Sequence, residues 1–132
     1  MKTIARMCLL VFVVSTFALA SDKGWGNQTG NDLLPVCSVA VDVLDKKDGS
    51  NDQAHDAVEC FQYVSGFLDG YGVASAVDKG KPFLCFPKDS NTGQMVRVVV
   101  KWMKERPEKL HLAASACVFE ALGDSFMCKY PK

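Results

Sequence analysis

Apolar side chains recur at steps of three and four residues along the chain, which is the spacing of one face of an α-helix. The first such stretch predicts a helix over residues 33–45, and the second predicts a longer helix over residues 52–77. Ser50 and Gln53 suit a capping box at the start of the longer helix, in which each side chain bonds the backbone of the other residue. The polar sequence KKDGSN separates the two helices and predicts a turn between them.

The sequence MVRVVVKWM (residues 95–103) fits two patterns. Its alternation favours a strand, and valine prefers strands, whereas its apolar steps of three and four favour a helix. Thr92 is a plausible cap, and KWMKER continues with helix formers and a basic end. These flanks decide the choice, so we predict a helix over residues 93–105.

Pro107 suits the first position of a further helix, because its fixed φ is helical and its missing N–H is not needed there. We therefore predict a fourth helix that begins at Pro107 and stops at Gly123. The residue before a proline avoids helical geometry, so the chain turns at Arg106 and the segment is a hinge. The whole pattern predicts an all-α fold, a small bundle of about four helices arranged as two antiparallel hairpins.

A second line on the long helix consists of small residues, Gly66, Gly70 and Ala74. Glycine inside a helix costs about 1 kcal/mol relative to alanine, so a compensating interaction is expected. We predict that another helix packs closely along this line, and a binding groove is the less common alternative.

The first residues have the order of a secretory signal: basic residues, an apolar run and a small-x-small end. We therefore assign residues 1–20 to a signal peptide, 21–31 to a flexible leader and 32–132 to a single helical domain. The expected product is exported, with no membrane segment after cleavage. Without the signal the chain carries 13 basic and 15 acidic residues, and this balance offers no basic face for a nucleic acid.

Five cysteines remain after cleavage: Cys37, Cys60, Cys85, Cys117 and Cys128. An exported protein meets an oxidising compartment, which favours disulfides. The midpoint of positions 37 and 60 falls in KKDGSN, and that of 85 and 128 falls at the hinge. Residues equidistant from a hairpin turn lie at the same height, so we predict Cys37–Cys60 and Cys85–Cys128, with Cys117 as a buried thiol. Four cysteines allow three pairings, and spacing alone leaves the other two open.

Catalytic chemistry finds little support in the sequence. Cys117 and His111 suggest a thiol with its base, but six residues along one helix turn the two side chains about 120° apart. Cysteines and histidines also lack metal-ligand spacing. We therefore expect no catalytic residue, no metal and no cofactor. His111 and Pro107 are expected to be structural hinge residues, with the histidine ring bonding a free carbonyl at the end of the third helix.

Five ordered motifs then suggest a family: CFQYVSGFLDG (60–70), FLCFP (83–87), QMVRVVVKWM (94–103), RPEKLHLAA (106–114) and FMC (126–128). Together with a signal peptide, they resemble the small periplasmic immunity proteins of type VI secretion, the Rap/Tai kind. The resemblance covers about residues 33–128. It implies a mostly helical domain, often a homodimer, that binds a toxin delivered into the periplasm. That toxin is typically a peptidoglycan amidase with a Cys–His site, which the immunity protein blocks sterically.

Two polar segments are the best candidates for contact with the effector, because a rigid scaffold positions functional loops. They are the loop over residues 86–93 and the hinge over residues 104–109. The predicted contact residues are Lys88, Asp89, Ser90, Asn91, Lys104, Arg106 and Glu108.

Other functions rank lower. The main alternative is a periplasmic helical chaperone or stress protein that binds unfolded clients. A small-ligand carrier like the insect odorant-binding proteins is disfavoured, because their C-x-x-x-C pair is missing. An enzyme ranks last.

Overall fold

The computed structural model describes residues 28–47 and 50–130, and within these ranges the secondary structure is helical. The predicted signal peptide and most of the leader lie outside the described residues. Four α-helices follow one another: α1 Gly30–Leu44, α2 Asn51–Asp78, α3 Thr92–Glu105 and α4 Ala114–Phe126. A short 3₁₀ turn, Pro107–Lys109, lies between α3 and α4. The predicted all-α class with about four helices is confirmed.

Helices α2 and α3 both begin with a capping box. Ser50 N donates to Gln53 Oε1 at 2.8 Å and Gln53 N donates to Ser50 Oγ at 3.3 Å, as predicted. Helix α3 opens with the same reciprocal pair between Asn91 and Gln94, at 3.0 and 3.1 Å. The cap of α3 is therefore one residue earlier than the predicted Thr92.

Residues 95–103 are helical, so the helix reading of MVRVVVKWM is correct. A helix satisfies its backbone hydrogen bonds internally, whereas a strand needs a partner strand, and the described residues contain only two isolated bridges. One side of α3 faces the core while Arg97 and Lys101 stay exposed. The buried face consists of Met95, Val96, Val99, Val100, Trp102 and Met103.

Helix α1 begins earlier than predicted, and the chain before it belongs to the fold. Gly30 N donates to Leu112 O at 3.0 Å, Asn31 N donates to Leu110 O at 2.9 Å, and Ala114 N donates to Gln28 O at 2.8 Å. Residues 28–31, which the sequence assigned to the leader, thus pair with the segment that precedes α4.

This pairing also explains why the predicted start of the fourth helix is wrong. Pro107 begins only one 3₁₀ turn, and α4 starts at Ala114. The carbonyls of Leu110 and Leu112 accept hydrogen bonds from the backbone N–H groups at the start of α1. They are therefore not used in the i to i+4 hydrogen bonds of a helix that continues from Pro107. The predicted stop is wrong as well, because α4 passes through buried Gly123 and ends at Phe126.

Both predicted disulfides are present. Cys37–Cys60 joins α1 to α2, and Cys85–Cys128 joins the α2–α3 connection to the segment after α4.

Helix α1 packs on α2 and α3, and α4 packs mainly on α3. No helix in the described part of the chain is long and apolar enough to cross a membrane. The largest fully buried side chains of the core are Met103, Leu122, Val64, Val96, Val99 and Val118.

Candidate functional site

The α2–α3 loop, defined as residues 79–91, is the longest described connection between helices. Its one buried residue, Leu84, is 3% exposed, and its backbone N–H donates to the hydroxyl of Tyr71 at 2.7 Å. Cys85 N donates to Phe126 O at 2.8 Å, so the loop also pairs with the end of α4. The remainder is largely exposed, which presents a polar surface on a rigid helical support.

A recess of about 480 Å³ lies beside this loop, between α2 and the start of α3. Its lining is mainly apolar, with a few hydroxyl and amide groups at the edge. Such recesses accept a side chain of a partner when polar groups at the rim orient it. The lining residues are Leu68, Tyr71, Gly72, Ser75, Pro82, Phe86, Ser90, Asn91, Thr92 and Met95.

The four predicted contact residues of this loop divide into two pairs. Ser90 Oγ donates to Pro87 O at 2.6 Å, and Asn91 caps α3, so both side chains are used within the fold. Lys88 and Asp89 lie on the adjoining turn and are exposed. The structure therefore makes Lys88 and Asp89 the better candidates for an external partner.

The hinge residue Arg106 is occupied within the fold. Its Nη2 lies 3.1 Å from Asp124 Oδ2, and its guanidinium lies 5.0 Å from the ring centre of Trp102. Trp102 Nε1 donates to the same carboxylate at 2.8 Å. A half-buried arginine held by both a carboxylate and an aromatic face is chiefly a structural group.

Lys109 extends this arrangement on the other side of the hinge. Its Nζ donates to Glu120 Oε2 at 2.6 Å, and this hydrogen bond raises the pKa of Lys109. The same ammonium lies 5.9 Å from the ring centre of Trp102. Arg106 and Lys109 thereby cover the indole and fix the hinge against α4.

The other hinge candidates, Lys104 and Glu108, are exposed. His111 Nδ1 lies 2.8 Å from Glu108 O, and since a carbonyl only accepts, Nδ1 must carry the proton. As predicted, the ring of His111 bonds a backbone carbonyl. Its partner differs, because Glu108 lies in the 3₁₀ turn and not at the end of α3.

The two predicted contact segments are separated by the length of α3. Lys88 and Asp89 precede its N-terminus, and Lys104 and Glu108 lie at its C-terminus. Fourteen residues at 1.5 Å per residue place the two ends about 20 Å apart. The structure thus does not bring the two candidate segments together.

The small-residue line of α2 is open, so the predicted close packing is wrong. A Cβ added at Gly66 or at Gly70 would meet nothing within 4 Å. Together with Ala74, these glycines form the floor of a shallow groove of about 550 Å³, which Phe67 and Phe119 border. The structure shows a surface groove along this line, and the less common alternative, a binding groove, stays a prediction.

Two valines missed by the sequence analysis extend this face. Val73 and Val77 are 66% and 75% exposed, and they follow Gly66 and Gly70 at helical spacing. We call Gly66, Gly70, Val73 and Val77 the α2 stripe. The signal in the sequence was its lack of charge, because Asp69 is the one charged residue between positions 66 and 77.

Cys117, the described cysteine outside the two disulfides, does not form a reactive site. Cys117 is 0% exposed, and burial raises the pKa of its thiol, which keeps it protonated at neutral pH. Its Sγ faces the backbone oxygens of Lys109 at 3.7 Å and Leu112 at 4.0 Å. A protonated thiol enclosed in backbone cannot attack an external substrate.

One histidine–carboxylate group occurs near the start of α2. His55, Asp56 and Glu59 bring ligand-type atoms within 4.8 Å of one another. His55 and Glu59 are exposed and all three belong to one helix, which is ordinary for a solvated polar face.

The family model described as Rap1a immunity proteins matches residues 29–128. The matched range begins at the cap of α1 and ends at Cys128, and so it includes all four helices and both disulfides. No curated protein and no solved structure matches the chain.

Proposed function

The chain belongs to the Rap1a immunity proteins, a family that neutralises secreted effectors, and from this premise we propose that it inhibits a type VI secretion effector in the periplasm. The effector class that fits best is a peptidoglycan amidase with a Cys–His site, the class implied by the resemblance of the five sequence motifs. Inhibition is steric: the immunity protein covers the amidase cleft. The match over residues 29–128 carries this proposal.

The chemistry of the described residues supports an inhibitor and not an enzyme. The Cys117 thiol is buried and protonated, and the exposed His111 ring is engaged with a backbone carbonyl. Cys37–Cys60 ties α1 to α2, and Cys85–Cys128 ties the α2–α3 loop to the segment after α4. A preorganised surface of this kind binds with a small loss of conformational entropy, which favours tight inhibition.

Protection in the correct compartment tests the function. The experiment directs a Cys–His amidase encoded beside this gene to the periplasm of a sensitive host, with the full chain or with a chain lacking residues 1–20. We expect survival with the full chain and lysis with the truncated one. An amidase with its nucleophilic cysteine replaced by alanine controls for general toxicity. Equal lysis with and without the full chain would reject the immunity role, and protection by the truncated chain would reject the periplasmic site.

We place the effector contact at the α2–α3 loop, on Lys88 and Asp89 and the adjoining recess. These two side chains are exposed, whereas Ser90, Asn91 and Arg106 are engaged within the fold. Exposed charges steer association and fix register at an interface. The hinge end, with Lys104 and Glu108, is the competing location.

Charge reversal at each end of α3 distinguishes the two locations. The double variant Lys88→Glu/Asp89→Lys is expected to weaken amidase binding by roughly 10- to 100-fold, because like charges then meet across the interface. Lys104→Glu/Glu108→Lys is the matched control and is expected to bind within about threefold of the parent. Calorimetric titration against the inactive amidase measures both, and urea unfolding checks that both variants are folded. Unchanged affinity in both variants would place the contact elsewhere.

We also propose that the α2 stripe is the contact between two copies of the chain. The face has a recess at Gly66 and Gly70 beside a projection formed by Val73 and Val77. A two-fold axis near Gly70 would set the projection of each copy against the recess of the other, which is the self-complementarity that an isologous dimer requires. Its low charge lowers the desolvation cost of such a contact.

A charge on the projection tests the dimer. Val73→Lys/Val77→Lys is expected to convert a dimer to a monomer, because it would bury two ammonium groups per copy without partners. Val58→Lys is the control, since Val58 is 52% exposed on the same helix but outside the α2 stripe. Light scattering coupled to size exclusion gives the mass. A parent protein that is monomeric at high concentration would refute this contact.

A further inference from the structure

The two disulfides differ sharply in their access to solvent. Cys37 and Cys60 are both 0% exposed and lie among core residues of α1 and α2. Cys85 is exposed and Cys128 is half-buried. Thiol–disulfide exchange requires a thiolate to reach a sulfur, so access decides which bridge reacts in the folded protein. Only Cys85–Cys128 meets that condition among the two bridges.

The exposed bridge joins the α2–α3 loop to the C-terminal segment, residues 127–130. Two backbone hydrogen bonds accompany it, Cys85 N to Phe126 O at 2.8 Å and Cys128 N to Phe83 O at 2.9 Å. Near the end of the segment, the Tyr130 hydroxyl donates to Pro82 O at 2.6 Å. The Phe86 ring also lies 5.4 Å from that of Phe126, and Lys81 Nζ lies 4.8 Å from the ring centre of Tyr130. All of these contacts are non-covalent, and the disulfide adds a covalent constraint on the two segments.

We propose that Cys85–Cys128 is a reducible clasp, and that its opening by a dithiol loosens the α2–α3 loop while the helical core stays folded. This inference rests on the proposed function in one respect: the loop is the surface that we assign to effector contact. An open clasp then lowers the affinity for the effector, because a mobile loop must be ordered on binding. The bridge forms in an oxidising compartment, so the loop becomes ordered where the effector is encountered.

The clasp opens in two thiol–disulfide exchange steps. A thiolate of the dithiol attacks Cys85 Sγ, forms a mixed disulfide and releases Cys128 as a thiolate. The second thiol of the same dithiol, once deprotonated, attacks its own sulfur in the mixed disulfide and releases Cys85. The dithiol is oxidised to its cyclic disulfide, and the two cysteines gain two electrons and two protons. Attack starts at Cys85, because it is the more exposed of the pair.

The rest of the fold explains why the clasp opens locally. Cys37–Cys60 continues to tie α1 to α2. Leu84 remains anchored at 3% exposure beneath the loop, and the Phe83 ring stacks on Phe119 with centres 5.1 Å apart. Cys117 cannot join the exchange in the folded state, because it is 0% exposed and its raised pKa keeps it protonated. Loss of the clasp therefore affects the loop and the C-terminal segment first.

Selective reduction is the first test, carried out on the mature chain without denaturant. Dithiothreitol is added in steps, new thiols are alkylated, and peptides are mapped by mass. We expect Cys85 and Cys128 to be labelled more than about tenfold faster than Cys37 and Cys60. Amide hydrogen exchange should rise in residues 79–91 and 127–130 and stay unchanged in α1. Labelling of all four cysteines at one rate would overturn the proposal, and so would selective reduction with no change in loop exchange.

A permanently open variant separates this proposal from the immunity role. Cys85→Ser/Cys128→Ser should show the loop exchange of the reduced protein and no further response to dithiothreitol. Cys117→Ala is the control and should keep the response of the parent. In the protection assay the open variant should protect less than the parent at equal periplasmic abundance. Full protection by the open variant would refute control by the clasp, whereas failure of the parent itself would refute only the immunity role.

Discussion

Replacing Cys37 and Cys60 together by alanine is expected to lower the free energy of unfolding by about 4 kcal/mol. The bridge spans a sequence separation of 23 residues, and its loss restores the entropy of the unfolded chain, which accounts for about 3 kcal/mol. The remaining loss of about 1 kcal/mol arises because both sulfurs are fully buried and their removal leaves unfilled space. Urea unfolding followed by far-ultraviolet circular dichroism measures the change.

The second bridge supplies a matched comparison. Cys85→Ala/Cys128→Ala opens a separation of 43 residues, for which chain entropy alone gives about 4 kcal/mol. We expect a smaller loss than for the buried pair, because the exposed loop gains freedom in the native state as well. Both variants carry Cys117→Ala, so that no thiol remains to exchange. A larger loss for the exposed pair would show that loop length outweighs burial.

Replacing Gly30 by alanine is expected to lower the free energy of unfolding by about 2 kcal/mol, even though alanine is the better helix former. A Cβ at this position would lie 2.9 Å from Cys117 Sγ, 3.0 Å from Leu110 Cα and 3.1 Å from Leu110 O. Two of these neighbours are backbone atoms, held by the hydrogen bonds between the start of α1 and the segment before α4. The clash therefore cannot be relieved by rotating a side chain.

The same substitution at Gly66 is expected to have the opposite sign. Nothing in the same chain lies within 4 Å of the added Cβ, so Gly66→Ala should raise the stability of the monomer by about 0.5–1 kcal/mol through helix propensity. Thermal and urea unfolding of the two variants beside the parent gives both values. Destabilisation at both positions would mean that the face at Gly66 is covered in solution, and the dimer proposed for the α2 stripe is one such cover.

The helices of the fold were largely predictable, because each buries one face whose spacing is visible in the chain. The start of α2 at Ser50 and the helical state of residues 95–103 followed from capping and apolar periodicity. The start of α4 was not predictable in this way. Local rules place a helix at Pro107, but Leu110 and Leu112 give their carbonyls to the start of α1, about 80 residues earlier in the chain.

The candidate site was predictable only in part. Polar composition indicated the loop over residues 86–93 and the hinge over residues 104–109, and it gave equal weight to every charge in them. The structure separates exposed Lys88 and Asp89 from Arg106, whose charge is taken up by Asp124 and the Trp102 ring. Asp124 is 18 residues beyond Arg106, so no local pattern reveals that pairing.

By itself the sequence determined the all-α class and the family resemblance, and it favoured the disulfide pairing that the structure then showed. These follow from periodic burial, from symmetry about two turns and from local motifs, all of which are recorded along the chain. Only the tertiary structure decided that the line of Gly66 and Gly70 is open while Gly30 is closed, since the three glycines look alike in sequence. Tertiary structure likewise decided which bridge meets solvent. Exposure depends on what lies beside a residue in space, and the neighbours that decide it come from distant parts of the chain.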